Sequence, residues 1–327
     1  MPQNFITVIT PIYNEEKNIL NCINTLVNQT SQNFNVIFID DGSDDMSVAI
    51  LKTALENKVQ FSYEIITQKN QGAAKARETG INAATTDYIL ILDCDDRISE
   101  NTIEKHIETI HELSPDIILP FAKIQNNTNE YDNFNYFDDK QSHQGITCLL
   151  NSLGGWQVHG WMCARRDIFI KSYNTYKRYN PTNINYINND EVIVRLNFFY
   201  AKNVQKNDAI YYYENNTEST TKKINQNRYL MCKNAIILCN IFKNENHIIV
   251  NKTYKELINV LWGTVKYANR NYHQLSNIED WNTTISQVFD FIKKNNVKHT
   301  LSLKGKFRLI RARRSFIKFQ KTISKQH

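Results

Sequence analysis

In ILILDCDDR (residues 89–97) four apolar residues of strand type run into Asp93, Asp95 and Asp96. Carboxylates this crowded repel one another and resist burial without a counter-charge. Oxygen donors two residues apart at a strand end suit Mg2+ or Mn2+, which takes few protein ligands and completes its shell with phosphate and water. The same letters also describe a solvated turn whose aspartates help start the helix at Ser99, with Arg97 offsetting part of the charge. A second acidic pair, Asp190 and Glu191 in INNDEVIVRL, stands where a helix should begin, and Asp190 serves equally well there as an N-cap.

Such groups work only if the chain holds them together. Strand and helix signals alternate through the first 125 residues. The strands expected are 5–10, 34–40, 61–67, 87–93 and 116–124, with helices over 15–29, 45–57, 72–84 and 99–113 between them. Near-continuous apolar strands in that order predict an α/β fold with a mostly parallel central sheet flanked by helices. Ligands in such sheets collect at the carboxyl ends of the strands. Three of those ends are polar here: PIYNEE after the first strand, DDGSDD after the second and DCDD after the fourth. Gly42 in the second cluster permits a positive φ. KNQGAAKARETG (69–80) reads as a turn at Gly72 followed by a helix of small residues that allows close packing, and Arg77 on it could be a surface charge or a phosphate or ribose contact.

From about residue 125 the alternation stops. An Asn-rich loop leads into an irregular stretch containing GGWQVHGWMCARRDIF (154–169), then a helix over 190–202, then AIYYYENNTESTTKK. Helical periodicity dominates 224–295. The division expected is therefore 1–125, 126–223 and 224–327, the last a helical C-terminal region with a basic tail.

Four segments in order, VITPIYNEE, VIFIDDGSDD, NQGAAKARETGIN and DYILILDCDD, together resemble the inverting family 2 glycosyltransferases over roughly residues 5–115. A haloacid-dehalogenase phosphatase also carries a DxD at a strand end, but it wants Thr or Val where Arg97 stands. A sugar nucleotidyltransferase wants a Gly-rich basic loop after the first strand, which PIYNEE lacks. The resemblance implies a GT-A (Rossmann-like) fold for the nucleotide-sugar-binding half and the acceptor and base half that follows. It implies that Pro11, Tyr13, Glu15 and Asp41 hold the donor's nucleotide base, with Asp40 structural, and that Arg77 lies beside the nucleotide. Asp95 is implied as the ligand of a divalent metal, Mn2+ or Mg2+, with Asp93 on ribose or metal-bound water and Asp96 in support.

Further along, the segment with Trp156, His159 and Trp161 resembles an acceptor floor, and Ser219, Thr220 and Lys222 match a loop that closes over the diphosphate. Asp190 matches the catalytic base, although Asn189 stands where Glu is common, which leaves Glu191 as the alternative. The implied activity moves one sugar from a nucleotide-sugar, UDP-linked by preference, to a glycan or lipid-linked glycan hydroxyl with inversion, in bacterial surface-polysaccharide synthesis. A catalytically inactive glycan-binding relative is the alternative function. Processive relatives carry membrane spans and a QxxRW motif, and neither is present in this sequence.

Composition narrows the setting. No run approaches the ~20 apolar residues of a membrane span, and MPQNFITVITPIYNEE carries no secretory pattern. Six scattered cysteines fit reduced thiols, so a cytoplasmic protein is expected. The net charge of +6 is uneven: after Asp290 come 12 of the 39 Lys and Arg and no acid, leaving 27 bases against 33 acids before it. Interleaved bases and apolar residues over 304–327 predict a peripheral contact with an anionic membrane surface at the inner face of the cytoplasmic membrane, with no nucleic acid expected as partner.

Overall fold

A computed structural model describes residues 5–56, 59–180, 184, 186–215 and 224–324. Ser219, Thr220 and Lys222 lie outside the described residues. In chain order the elements are β1 (Ile6–Ile12), α1 (Ile19–Val27), β2 (Phe34–Asp40), α2 (Ser47–Glu56), β3 (Ser62–Thr67), α3 (Ala73–Ala83), β4 (Tyr88–Ile91), β5 (Arg97–Ile98) and α4 (Thr102–Leu113). There follow β6 (Ile117–Gln125), β7 (Tyr131–Asn133), β8 (Ser142–Gln144), α5 (Gly145–Ser152), β9 (Cys163–Arg165), α6 (Arg166–Tyr179), α7 (Asn189–Tyr200) and β10 (Asn203–Tyr213). The last third is helical: α8 (Met231–Phe242), α9 (His247–Asn271), α10 (Ile278–Lys294), α11 (Val297–Thr300) and α12 (Leu303–Ile323).

The chain divides into two compact units. One comprises Met1–Leu149, Gln157–Asn174 and Ile193–Asn216; the other comprises Leu150–Trp156, Thr175–Val192 and Thr217–His327. The first unit holds one mixed sheet in the order β3-β2-β1-β4-β9-β6-β10-β5, with β7 on β6 and β8 on β10. β3, β2, β1 and β4 run parallel, as do β6 and β10, while β9 is inserted antiparallel between β4 and β6. The parallel strands β1 and β2 are almost wholly buried, which is why their sequences read as apolar runs rather than as alternations. Ile6, Val8 and Ile12 pack with Phe34, Val36 and Phe38 and with Ile19, Cys22, Ile23 and Leu26 of α1 in the main core. On α3, Gly80 permits a close helix-to-sheet approach: a Cβ there would lie 2.6 Å from Ile9 Cγ2.

The first four strands and helices fall where the sequence places them. After 202, where the sequence reading expects no strand, 203–213 form the eleven-residue strand β10. Its buried positions Val204, Lys206, Ala209 and Tyr211 keep one face inward across a bulge between Lys206 and Ile210. The bulge breaks the strict two-residue alternation, and the buried Lys206 disguises the rest. The 154–169 stretch likewise contains β9 and the start of α6, both too short in sequence to show a period.

The second unit is built on a separate core. Trp281 of α10 is fully buried, donates from Nε1 to the Gln226 carbonyl at 3.0 Å and stacks on Tyr267 of α9. Leu257, Leu261 and Val265 of α9 and Phe316 and Phe319 of α12 belong to the same cluster. The Asn246 side chain caps α9 by accepting from the amides of Ile248 and Ile249, and Ser302 caps α12 by accepting from Gly305.

Candidate active site

Three strand ends of the first unit converge as their hydrogen bonds show. β1 stops at Ile12 and β2 at Asp40, and the loops beyond are stitched together. The Asn14 amide donates to Ser43 Oγ (3.1 Å), the Asp44 amide to Asn14 Oδ1 (3.0 Å), and the Glu15 amide to Ser47 Oγ (2.7 Å). Gly42 takes φ 78°, and a Cβ on it would approach the Asn70 nitrogen at 3.0 Å. Asp40 and Asp41 are both buried. Asp40 accepts from the Ser43 amide at 2.9 Å. The Asp41 carboxylate accepts from Gln68 Nε2 (2.7 Å), the Gln71 amide (3.0 Å) and the Gly72 amide (2.7 Å). Asp41 thus fixes the entrance to α3, while Tyr13, 49% exposed, and half-buried Pro11 stay open to a ligand at the end of β1.

At the end of β4 the acidic triplet separates into three environments. Arg77 of α3 places Nη2 against both oxygens of Asp93, at 2.7 and 2.9 Å. The counter-charge for Asp93 is therefore Arg77; Arg97 turns away and pairs with Glu214 at 2.6 Å. Asp96 is 2% exposed and accepts from the Tyr211 hydroxyl (2.7 Å) and the Glu214 amide (3.0 Å). Burial, then repulsion from Asp93, pushes its carboxyl up to about 8. Asp95 is half-buried, facing neither into the core like Asp96 nor fully outward. Glu15 is raised by burial and by the charges of Asp95, Asp93 and Asp45, against a lowering hydrogen bond from Asn18 at 2.6 Å. Glu15 of β1's exit and the β4 aspartates therefore belong to one electrostatic cluster. Cys94 is a buried spacer whose hydrogen bond with Cys22, together with burial, holds its thiol well above the usual range.

An aromatic wall stands beside the aspartates. Half-buried Trp161 stacks on Tyr211 at 5.3 Å and 16° and tilts against Tyr213, which is 37% exposed. Burial and then the charges of Asp96, Asp95 and Asp93 raise the Tyr213 hydroxyl, which places it in the same field. His159 lies behind Trp161, 3% exposed, its Nε2 donating to the Pro120 carbonyl at 2.8 Å beside the Tyr136 hydroxyl; burial lowers it to about 4. In this geometry His159 braces the floor, and the exposed edge belongs to Trp161 and Tyr213. Tyr211 and Tyr213 escaped the sequence reading because no strand was expected over 203–213; the alternation in AIYYYE was the available signal.

In the second unit, Trp156 is half-buried, and Asp190 and Glu191 occupy the first turn of α7. Asp190 is exposed. Glu191 is half-buried and accepts from Asn188 Nδ2 at 2.8 Å. Asn188, at φ 60°, makes the sharp entry to that helix.

Could these residues hold a divalent cation? Among the described residues no group of three or more His, Cys, Asp or Glu is arranged to hold one alone. A cation at Asp95 would thus need oxygens from a ligand, as Mg2+ and Mn2+ accept from phosphates. The mutual repulsion recorded at Glu15 and Asp96 fits a cluster that gains from such a charge.

Comparisons with known proteins agree with this architecture. The chain is 28% identical to the glycosyltransferase GlyG of Streptococcus pneumoniae over 222 residues, 65% of this chain and 72% of that protein. It is 36% identical to the glycosyltransferase GlyA of the same species over 114 residues, spanning 35% of this chain and only 16% of that protein. Among solved structures, residues 1–349 of S. aureus TarS in complex with UDP superpose with a TM-score of 0.63 at 15% identity, covering 98% of this chain and 90% of that one. The mannosyltransferase PcManGT from Pyrobaculum calidifontis, in complex with GDP-Man and Mn2+, gives 0.50 at 12% identity, covering 96% and 87%. These two likenesses speak for the GT-A fold alone. The model for the family "Glycosyl transferase family 2" matches residues 7–172, half of the chain, and with it the strand ends, Arg77 and the β4 aspartates; the chain belongs to glycosyl transferase family 2.

Proposed function

We propose that this glycosyltransferase moves one sugar from a nucleotide-sugar, UDP-linked by preference, to a hydroxyl of a glycan or lipid-linked glycan, inverting the anomeric centre with help from a divalent metal. The observation that carries the reading is the acidic cluster at the end of β4, where Arg77 neutralises Asp93, Tyr211 and Glu214 tie down Asp96, and half-buried Asp95 shares the field of Glu15. UDP is favoured because TarS is similar in fold and was solved with UDP and with UDP-GlcNAc. A bacterial surface glycan is favoured because the relatives include a teichoic acid poly(glycerol phosphate) polymerase of Staphylococcus epidermidis, 31% identical over 105 residues.

Asp95 would hold Mn2+ or Mg2+ with the donor's diphosphate, and Asp93 would stand by it for the ribose or a metal-bound water. Such a cation supplies Lewis-acid stabilisation of the leaving diphosphate, generally several kcal/mol. The chain's own residues do the rest. Tyr13 and Pro11 receive the nucleotide base. Glu15 closes the acidic side of that pocket, and Asp41 holds the loop from which α3 presents Arg77. Trp161 offers an apolar face to the acceptor sugar, with Trp156 and His159 as its companions in the sequence motif, and Ser219, Thr220 and Lys222 would cover the diphosphate. Asp190 takes the proton from the acceptor hydroxyl as it attacks. Its exposure supports it over the half-buried Glu191. General-base help of this kind is worth about 10²–10⁴-fold. A cytoplasmic site fits a nucleotide-sugar donor, and no described helix is long and apolar enough to cross a membrane.

The test is a thermal-shift screen of sugar nucleotides with and without Mn2+, followed by transfer assays on Asp190→Asn. A true donor raises the melting temperature by mass action. Asp190→Asn should keep that shift and lose transfer at least about 100-fold. An unaltered turnover would remove Asp190 from the mechanism, and a chain that binds donor but neither hydrolyses nor transfers it would be a glycan-binding relative.

A further inference from the structure

The helix α12 carries two apolar faces, and among the described residues only one is packed. Ala312, Phe316 and Phe319 point into the core of the second unit. On the opposite side Leu303, Phe307, Ile310 and Ile317 are 76, 65, 45 and 44% exposed. At about 100° per residue these four fall within a single arc of about 80°, so they form one ridge along the helix and not a scatter of surface residues. Bases border the ridge on both sides. Lys304, Arg311 and Lys318 recur every seventh residue along one flank, Lys306 and Arg313 lie on the other, and Arg314 and Lys321 interrupt the ridge itself. Arg308 faces inward instead and bonds to Asn259.

We propose that this outer face docks on an anionic lipid surface, with the ridge entering the headgroup region and the flanking bases meeting lipid phosphates. The chemistry selects that occupant. A nucleic-acid backbone would answer the bases but leave four large apolar side chains against a charged, wet surface. A second copy of the same face would bring like charges together, because no acidic residue follows Asp290. An anionic bilayer surface supplies both a negative potential and, a few ångströms deeper, an apolar medium. The face lies within the second unit and is independent of the donor chemistry proposed for the first, so the two readings fail separately.

The test is co-sedimentation of the full chain with vesicles of phosphatidylcholine alone or mixed with phosphatidylglycerol. The expected result is binding at least about tenfold tighter to the anionic vesicles. It should weaken from about 0.1 M to about 1 M salt as the Debye length falls from about 10 to about 3 Å. The paired change Phe307→Ser and Ile310→Ser should cost at least about tenfold more with the charge unchanged. The change of Arg311, Arg314 and Lys318 to Gln should remove about fivefold per base. Leu303→Ser, at the most exposed position, gives a second reading of the ridge should the pair disturb folding. Absence of vesicle binding overturns the proposal. So does binding indifferent to all the ridge changes, or a dimer in solution that those changes dissociate.

Discussion

At the scale of single residues, the three β4 aspartates show how one motif yields different chemistry from one environment to the next. Asp93 already has a cation in Arg77, and Asp96 is buried under two hydrogen bonds, so neither is well placed to accept a further charge alone. Asp95, half-buried like Asp93, is the member of the triplet that the proposal gives to the metal. Asp95→Asn removes the charge and keeps the shape. It should lower transfer at least about 100-fold, the scale of a lost Lewis-acid contribution, and abolish the Mn2+-dependent part of the donor's thermal shift. A variant that keeps its metal response would move the cation site elsewhere. The pairing of the aspartates was not legible in the sequence. Arg97, two residues from Asp95, could by sequence offset part of the charge, yet Glu214 claims it. Arg77 reaches Asp93 only because α3 lies close to the strands, an approach that Gly80 permits.

At the scale of elements, the hydrogen-bond ladder carries most of the information that the sequence could not. The parallel strands β1, β2 and β4 were visible because burial on both faces leaves continuous apolar runs. β10 was hidden by its bulge and by the buried Lys206, and β9 by its three-residue length. β10 nevertheless binds the site together: the Tyr211 hydroxyl and the Glu214 amide both grip Asp96 across a sequence separation of more than 100 residues. Tyr211→Phe deletes one of those donors while keeping the ring that stacks on Trp161. Leaving a buried carboxyl short of a partner costs about 1–3 kcal/mol, so the midpoint of urea unfolding should fall by that equivalent with the slope unchanged. Transfer should fall as well, since the turn from Asp93 to Asp96 loses its anchor. A wild-type midpoint would mean that the Asp96 contact carries no stability.

At the scale of the whole molecule, buried titratable groups set the response to pH. His106 of α4 is fully buried, accepts from Asn207 Nδ2 at its Nδ1 (3.0 Å) and is lowered by burial to about 3. His159 is lowered by burial to about 4. Both stay neutral in the folded chain while the unfolded chain protonates them near 6.5. Their contribution is therefore complete above pH 6.5 and is lost as pH falls toward 4, because the unfolded state binds the extra protons. Each lost proton difference is worth about 1.4 kcal/mol per pH unit. Asp96 acts in the opposite sense: raised to about 8, it binds its proton more readily when folded and adds stability as pH falls from 8 toward 4. Among these three groups the two histidines outweigh the aspartate, by about 1.4 kcal/mol per unit below 6.5, while the lowered His143 and the raised Glu15 act in opposite directions. Urea unfolding at several pH values between 7 and 4.5 measures this slope. His106→Gln should flatten the acid limb by about one histidine's share, whatever it does to stability at pH 7. An acid limb as steep in that variant as in the wild type would show that His106 titrates in the folded chain, and with it that the packing between α4 and β10 is looser than the structure describes.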